Sequence, residues 1–337
     1  VPAAVAVSEH PVPAESTGDV VGLLLDAGME GAEMVVLAVA PGLVGAIEDV
    51  AGSVQALLGA GHCLGFCTAA VVGGGRRLGA SGIAALAVSG VPWHAAEIGP
   101  GLVVPDALSM GAAPGLVVTS VAPRLPMAPG SIEGVPQGHP GSILLDGTCS
   151  GGAALWCDQG SGVQVVEVGG WRPLGPTRSA GCSGGSLVAL DAMPANEVLV
   201  AELAAMAIEA RQSVLDVALR RCGSAVVEEL VALEVDPRTA VTRTSTSLVD
   251  GEPVEVVVRD AGSLCSEIEH LIARADAEAA LVCSPLLGPR AVVGDAGRGA
   301  TRLAVALGDR CGGLPVAGIA LGMASGPPPV TVLLCSG

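Results

Sequence analysis

Two stretches of this chain, one near each end, run through the same order of elements, and that repetition limits the fold more than any other feature. In the first, Met34-Val-Val-Leu-Ala-Val-Ala40 is an unbroken apolar run of strand length, stopped by Pro41 and Gly42. Residues 43–58 then set Leu43, Ile47, Val50, Val54, Leu57 and Leu58 at helical spacing, with Gly59 and Gly61 fitting the C-terminal end. Cys63-Leu-Gly-Phe-Cys67 reads as the next strand, residues 69–75 lead into the glycine turn Gly73-Gly-Gly75, and residues 82–88 are a further strand. In the second stretch, residues 279–284 are a strand ended by Pro285, 301–307 a helix closed near Gly308, and 314–320 a strand. A Gly/Pro turn at 322–329 and a final strand at 330–335 complete the order. The expected fold is therefore α/β: two related units of mixed β-sheet covered by helices, packed as one layered body with an internal pseudo-repeat. The units are placed at residues 1–195 and 196–337, which suits a length at which one hydrophobic core gives way to two.

The segment between the repeats is less regular. Residues 115–121, 143–145, 163–168 and 254–258 read as strands, and 123–140, with five prolines, as a loop. Residues 196–221 read as the longest helix, closed by Gly223 with Arg220 and Arg221 in its last turn. Residues 264–274 read as another helix.

Composition restricts what such a body can do. Half of the residues are apolar, which supplies a large core. Tyr is absent, Phe66 is the single Phe, and Trp93, Trp156 and Trp171 complete the aromatics, so no base-stacking surface is expected. Acidic residues outnumber cations by 33 to 16, for a net charge of −17, and every cation is Arg. That balance argues against nucleic acid and against a polybasic membrane patch. Without Lys there is neither a Schiff-base enzyme nor a P-loop. The chain is hydropathic overall, yet its longest apolar stretches are interrupted by Pro41, Gly42 and Gly45 or by Glu202, Glu209, Arg211 and Asp216, so no membrane span is expected. The first residues show no basic stretch followed by an apolar one, hence no secretory signal. Ten Cys, most of them in strand-like runs, fit buried thiols of a cytoplasmic protein.

Several constellations bear on chemistry. Cys182-Ser-Gly-Gly-Ser186 and Cys149-Ser-Gly-Gly152 resemble the surroundings of a protease nucleophile, but none of the five His carries a protease's flanking residues, and turn composition is the simpler reading. His62, Cys63 and Cys67 lack the second ligand pair of a zinc site, and spacing four on a strand puts both thiols on one face of the core. Glu267-x-x-His270 shares a helix face and reads as solvated. Gly73-Gly-Gly75 with Arg76-Arg77, and Gly294-Asp-Ala-Gly-Arg-Gly299 before a helix, carry anion-binding geometry, with plain loops as the simpler alternative. Pro41-Gly-Leu-Val-Gly45 is a poor match to a dinucleotide fingerprint. No catalytic residue, metal or cofactor is assigned.

Taken in order, these segments resemble the FIST family, the "F-box and intracellular signal transduction" domain, over nearly the whole chain. The opening Val5-Ala-Val-Ser-Glu-His10 is similar to the family's start, and residues 60–68 with Gly73-Gly-Gly75 to its "Gly-Cys-Thr" strand and glycine turn. Trp171-Arg-Pro-Leu-Gly-Pro176 resembles "Cys-Arg-Pro-Ile-Gly", and Leu190-Asp191 with Pro194-Ala195 resembles the "Leu-Asp-Gly-x-Pro-Ala" after it. Asp250-Gly-Glu through Arg259-Asp260 is similar to "Glu-Gly-…-Arg-Asp", and Leu314-Pro-Val-Ala-Gly318 with Gly326-Pro327 to the family's C-terminal stretch. The chain departs from the pattern where Met323-Ala324 replaces "Gly-Glu", where "Leu-His-Gly-Phe-Thr" is missing, where Ala69-Ala70 lacks an acid, and where Cys283-Ser-Pro-Leu-Leu-Gly-Pro-Arg290 replaces "Cys-x-Gly-Arg-Gly". The resemblance implies an intracellular, non-catalytic sensory module that binds a small ligand, an amino acid or related carboxylate, and signals to a protein partner. Its candidate pocket residues are Cys67, Thr68, Arg172, Arg259, Cys283 and Arg290, the arginines suited to a carboxylate. Arg259-Asp260 reads equally as a local structural pair. Two rival readings stand beside it: an interaction or scaffold subunit with a decayed pocket and an exposed apolar patch, and a cysteine hydrolase with a lowered thiol pKa beside a His. A homo-oligomer is compatible with each.

Overall fold

The computed structural model describes residues 1–69, 71–73, 76–79, 81–99, 105–109, 113–120, 131–136, 143–184, 186–208, 211, 214–222, 230–235, 242–244, 247–284, 316–319, 321–322 and 330–336. It is a mixed α/β body in which the two end stretches build two sheets of one topology. The first sheet runs in the order Ala3–Ser8, Ile83–Val88, Met34–Val39, His62–Cys67, Ile143–Leu145, Thr148–Ser150. Its first two pairings are antiparallel, Met34–Val39 and His62–Cys67 are parallel, and Ile143–Leu145 is antiparallel again. The second sheet runs Val163–Val168, Val330–Ser336, Ala277–Cys283, Val316–Ile319, Val71–Gly73, Arg76–Arg77. Its pairings are antiparallel, antiparallel, parallel and antiparallel in the same sequence. The pseudo-repeat is thus one strand arrangement used twice.

The unbroken apolar runs follow from the layering. Met34, Val36 and Ala38 face the second sheet, in one core with Leu281 and Leu333. Val35, Leu37 and Val39 face two helices, α1 (Pro13–Asp26) and α2 (Ile47–Leu58). Period two on a strand buried on both sides leaves no polar position. A 3₁₀ segment at Pro41–Ala46 leads into α2, which ends on Gly59 with φ of 66°. Helix α1 was not among the expected elements, although Pro13 at its first turn and Thr17, Val20, Val21 and Leu24 at helical spacing encode it. A single helical turn at Asp106–Ser109, α3, packs Leu108 on a five-stranded sheet formed by Leu321–Gly322, Ser131–Pro136, Gly115–Thr119, Gly152–Cys157 and Trp93–Glu97. Ser131–Pro136 is therefore a strand within the stretch expected as a loop.

The remaining strands form a separate eight-stranded system with a fourth helix, α4, at Ala195–Ala205. Its longest pairing joins Val214–Arg221 to Pro253–Asp260. Pro253–Asp260 also pairs with Trp171–Pro173 and Arg178–Ser183. This corrects the expected helix over 196–221. Helix α4 stops where Met206 turns extended at ψ of 149°, and Val214–Leu219 is buried on both faces of a strand. Tertiary pairing overrides a run whose helical and strand periods were both tolerable. A fifth helix, α5 (Ala261–Ala275), packs Leu264, Cys265, Ile268 and Ile272 on the outer face of the second sheet and is the longest among the described residues. The layers are α1 and α2, first sheet, second sheet, α5. A division at 195/196 does not coincide with a sheet boundary: Val163–Val168 belongs to the second sheet, and the eight-stranded system uses residues on both sides of 195.

The two repeat units are also laced together. Val71–Gly73, which follows the last parallel strand of the first sheet, crosses into the second and pairs with Val316–Ile319. Gly73 lies so close to the first sheet that a Cβ there would fall 2.1 Å from Val7 Cγ1, so the crossing needs glycine.

Candidate functional site

The candidate residues gather at the end of the layered body where the parallel strands finish. In the second sheet, Val168, Val330, Cys283, Ile319 and Val71 are brought to one rim by their registers: Val168 pairs with Val330, Cys283 with Thr331 and Ile319, and Ile319 with Val71. At ~4.8 Å per strand this rim is roughly 20 Å wide. The first sheet delivers its own parallel strand end to the same rim, because Cys67 and Thr68 lead directly to Val71. Carboxyl ends of parallel strands are where α/β sheets present loops to ligands.

Cys67 and Thr68 are fully buried, as are Cys283 and Ser284. The Thr68 amide donates to Val39 O at 3.0 Å, continuing the parallel ladder past its last strand residue. Cys67 and Cys63 share the helix-facing side of the first sheet, as their spacing predicts. Cys283 instead faces the inter-sheet core. Burial pushes Cys67 up to about 11 and raises Cys283 further, so both thiols stay protonated. They act as small apolar groups here, while Thr68 and Ser284 supply the polarity at the rim.

Arg259 and Arg172 sit at the Val168 corner, in a charged knot that joins the second sheet, α5 and the eight-stranded system. The Arg259 side chain is 2% exposed. Its Nε donates to Gly169 O at 2.7 Å, and its guanidinium lies 4.3 Å over the Trp171 ring. Asp216 is its direct neighbour across the strand pair. Burial lowers Arg259 to about 10, while Asp216, Glu167 and Glu267 favour its charge. Burial likewise raises Asp216 to about 6, opposed by Arg259 and by the Val217 amide that donates to Oδ1. The second oxygen, Oδ2, is buried without a hydrogen-bond partner among the described residues.

Asp260 faces the other way. Its Oδ1 accepts the Ser263 amide at 2.9 Å and caps α5, and its Oδ2 accepts Arg172 Nε at 2.7 Å and Ser263 Oγ at 3.1 Å. Burial alone would raise the Asp260 pKa, but Arg172 and Ser263 outweigh it and hold the carboxyl below its usual value. The local pair is therefore Arg172–Asp260, and Arg259 pairs across strands with Asp216. Both arginines fasten structure at this corner of the rim. Arg290, the sixth candidate, lies outside the described residues, as do the 294–299 and 301–307 segments.

Glu267 adds a role its sequence position did not show. Its carboxylate accepts the Gly169 amide at 3.3 Å and the Gly170 amide at 2.6 Å, so it ties down the turn that Arg259 grips from the carbonyl side. Gly170 has φ of 61°, and a Cβ there would lie 3.1 Å from Leu264 Cα. The sequence reading took Glu267 for a solvated side chain, which its two bonds to this turn correct; it used Trp171 only in the aromatic count and within a family stretch, Asp216 only as a break in an apolar run, and left Gly170 unnamed. Asp216 was hidden inside an expected helix, and the Gly169-Gly170 pair after an apolar strand was the available signal for a constrained turn.

The other constellations do not assemble a catalytic centre among the described residues. His62 Nδ1 meets Asp146 at 3.0 Å, His10 meets Glu15 at 3.0 Å, and His94 stacks on Trp156. Cys182 ends a hairpin strand, and burial, then Asp250 and Glu252, raises its pKa. The exposed Cys149 donates to Glu48 at 3.3 Å, which raises it too. No group of three metal-binding side chains occurs among the described residues. Arg76–Arg77 forms a short edge strand with Val72 and Gly73. A groove of about 440 Å³ between α1 and α2, lined by Val12, Thr17, Asp49 and Leu57 among others, contains none of the candidate residues. No helix of the described residues is long and apolar enough to cross a membrane. No protein-family model and no curated protein matches the chain.

Proposed function

We propose that this chain is a non-catalytic sensory module of the FIST type, which takes a small carboxylate or amino acid at the rim and passes occupancy to a protein partner in the cytoplasm. The observation that carries this reading is convergence: two sheets of one topology bring Thr68 and Ser284, both buried and polar, to a single rim. A pocket gains specificity from a few placed polar groups on a largely apolar lining. The Arg259–Trp171–Asp216 knot holds one corner of that rim rigid, so the arginines serve by positioning. A thiolate mechanism fits poorly, since each resolved thiol shift is upward.

The test is thermal unfolding against a panel of amino acids and small carboxylates. A ligand bound only by the folded chain at a hundredfold excess over its Kd adds ~2.7 kcal/mol of stability. A saturable shift from one chemical class, lost in Thr68→Val, is the expected result. A flat panel overturns it in favour of the second reading, an interaction subunit. One observation favours that reading: Val200 and Ile208, on and just beyond α4, are 67% and 69% exposed.

A further inference from the structure

Helix α4 has an apolar face on each side, and only one is covered. Ala195, Val198 and Leu199 pack into the eight-stranded system. The opposite face carries Val200, Ala201 and Ala204, at the three- and four-residue spacing of one stripe, and all three are exposed. Beyond the helix end the exposed apolar surface continues through Ala207 and Ile208. A surface helix ordinarily turns its charged side outward, so a bare stripe of this kind marks an interface.

The charges at the two ends of the stripe identify the occupant. Glu197 stands exposed in the first turn of α4. Arg211 is exposed at the other end, where its Nη2 donates to the carbonyls of Ala204 at 3.2 Å and Met206 at 3.4 Å. Among the described residues, the acidic Glu197 stands at the start of the face and the basic Arg211 at its finish. Turned end for end, the face complements itself: each Glu197 meets the other copy's Arg211, the apolar residues meet in the middle, and the helix dipoles oppose. A parallel pairing would stack like charges instead. The small side chain of Ala204 lets two such helices approach closely.

We propose that the outer face of α4 is the interface of a two-fold symmetric homodimer, in which the two α4 helices pack antiparallel. Such an interface is isologous and closes on itself, so assembly stops at two chains. A contact built on one helix per copy belongs to the small end of specific interfaces.

Sedimentation velocity of the whole chain, from low micromolar to several hundred micromolar in about 0.15 M salt, tests this. The wild-type chain is expected to climb from the mass of one chain to that of two and no further. Val200→Glu with Ile208→Glu is expected to hold it at one chain while its thermal unfolding stays unchanged, since both residues are solvent-facing. Glu197→Arg alone and Arg211→Glu alone are each expected to weaken the dimer by about tenfold, and the double swap to restore it. A wild-type chain that stays monomeric throughout overturns the proposal. So does a dimer that survives the Val200/Ile208 pair, or a double swap no better than its singles.

Discussion

Replacing Gly73 by Ala tests the lacing of the two repeat units. The added Cβ would stand 2.1 Å from Val7 Cγ1 and 3.2 Å from Val7 Cβ. Carbon pairs prefer about 3.5–4.0 Å, so both distances are too short. Rotating Val7 removes the first conflict and leaves the second. Overpacking of this kind costs about 1–3 kcal/mol, and removing glycine from a strand returns roughly 0.5–1 kcal/mol. The net expectation for Gly73→Ala is a loss of about 0–2.5 kcal/mol. Val7→Ala removes methyl groups from a half-buried side chain packed on the inter-sheet core, for a similar loss of about 1–1.5 kcal/mol. In the Val7→Ala background, however, the methyl added by Gly73→Ala no longer strikes a Cγ. Only the milder 3.2 Å contact with the Cβ at position 7 remains, and the second substitution costs little. The pair should therefore be non-additive by more than ~1 kcal/mol, against the ~0.5 kcal/mol scatter of independent sites. Urea titration of the four proteins, followed by far-ultraviolet circular dichroism and compared at constant m, reads this directly. Additive effects of the two substitutions would refute the claim that this strand crosses between the sheets against Val7.

Three further outcomes follow from the knot at the Val168 corner. Asp216 has a folded pKa of about 6, above its unfolded value of 3.8, so its contribution to stability is greatest at low pH and is lost as pH rises from about 4 through 6. The Tm difference between Asp216→Asn and wild type should accordingly shift in the variant's favour across that interval in scanning calorimetry; a flat or opposite trend counts against the burial argument. Asp260 is displaced in the other sense, so its contribution is present above its unfolded pKa and lost as pH falls through the folded one. Asp260→Ala should cost about 2 kcal/mol near pH 7, from a lost helix cap and a released Arg172, and the deficit should shrink on acidification. Gly170→Ala should cost about 1–3 kcal/mol in a denaturant titration, because it forces a side chain into the left-handed region against Leu264.

The doubled topology was legible because its strands are buried on both faces. Met34–Val39 has no polar residue to confuse the period, Ala277–Cys283 only Glu278 near its start, and the prolines and glycines after them mark the ends. The eight-stranded system was not legible for the converse reason. Residues 214–221 carry Asp216 among apolar neighbours, which suits a helix face as well as a strand, and only the pairing with Pro253–Asp260 decides between them. At the site, the family resemblance named Arg172 and Arg259 as pocket candidates. It could not show that one grips a helix cap and the other a turn, since both attachments join residues about 90 positions apart. Cys67 and Cys283 were placed by their strands, and their chemistry by burial.

The crossing of Val71–Gly73 to the second sheet also has a consequence for synthesis. That strand leaves the ribosome early, but its partner Val316–Ile319 and the central strand Val330–Ser336 come last. At ~5–20 residues per second the wait is roughly 13–50 s. Val163–Val168, once made, likewise waits for its neighbour, and the inner face of the first sheet lacks Leu281, Cys283, Leu333 and Cys335 until the end. A nascent chain in this condition is a client for holdase chaperones, and its yield on overexpression should depend on them more than its final stability would suggest.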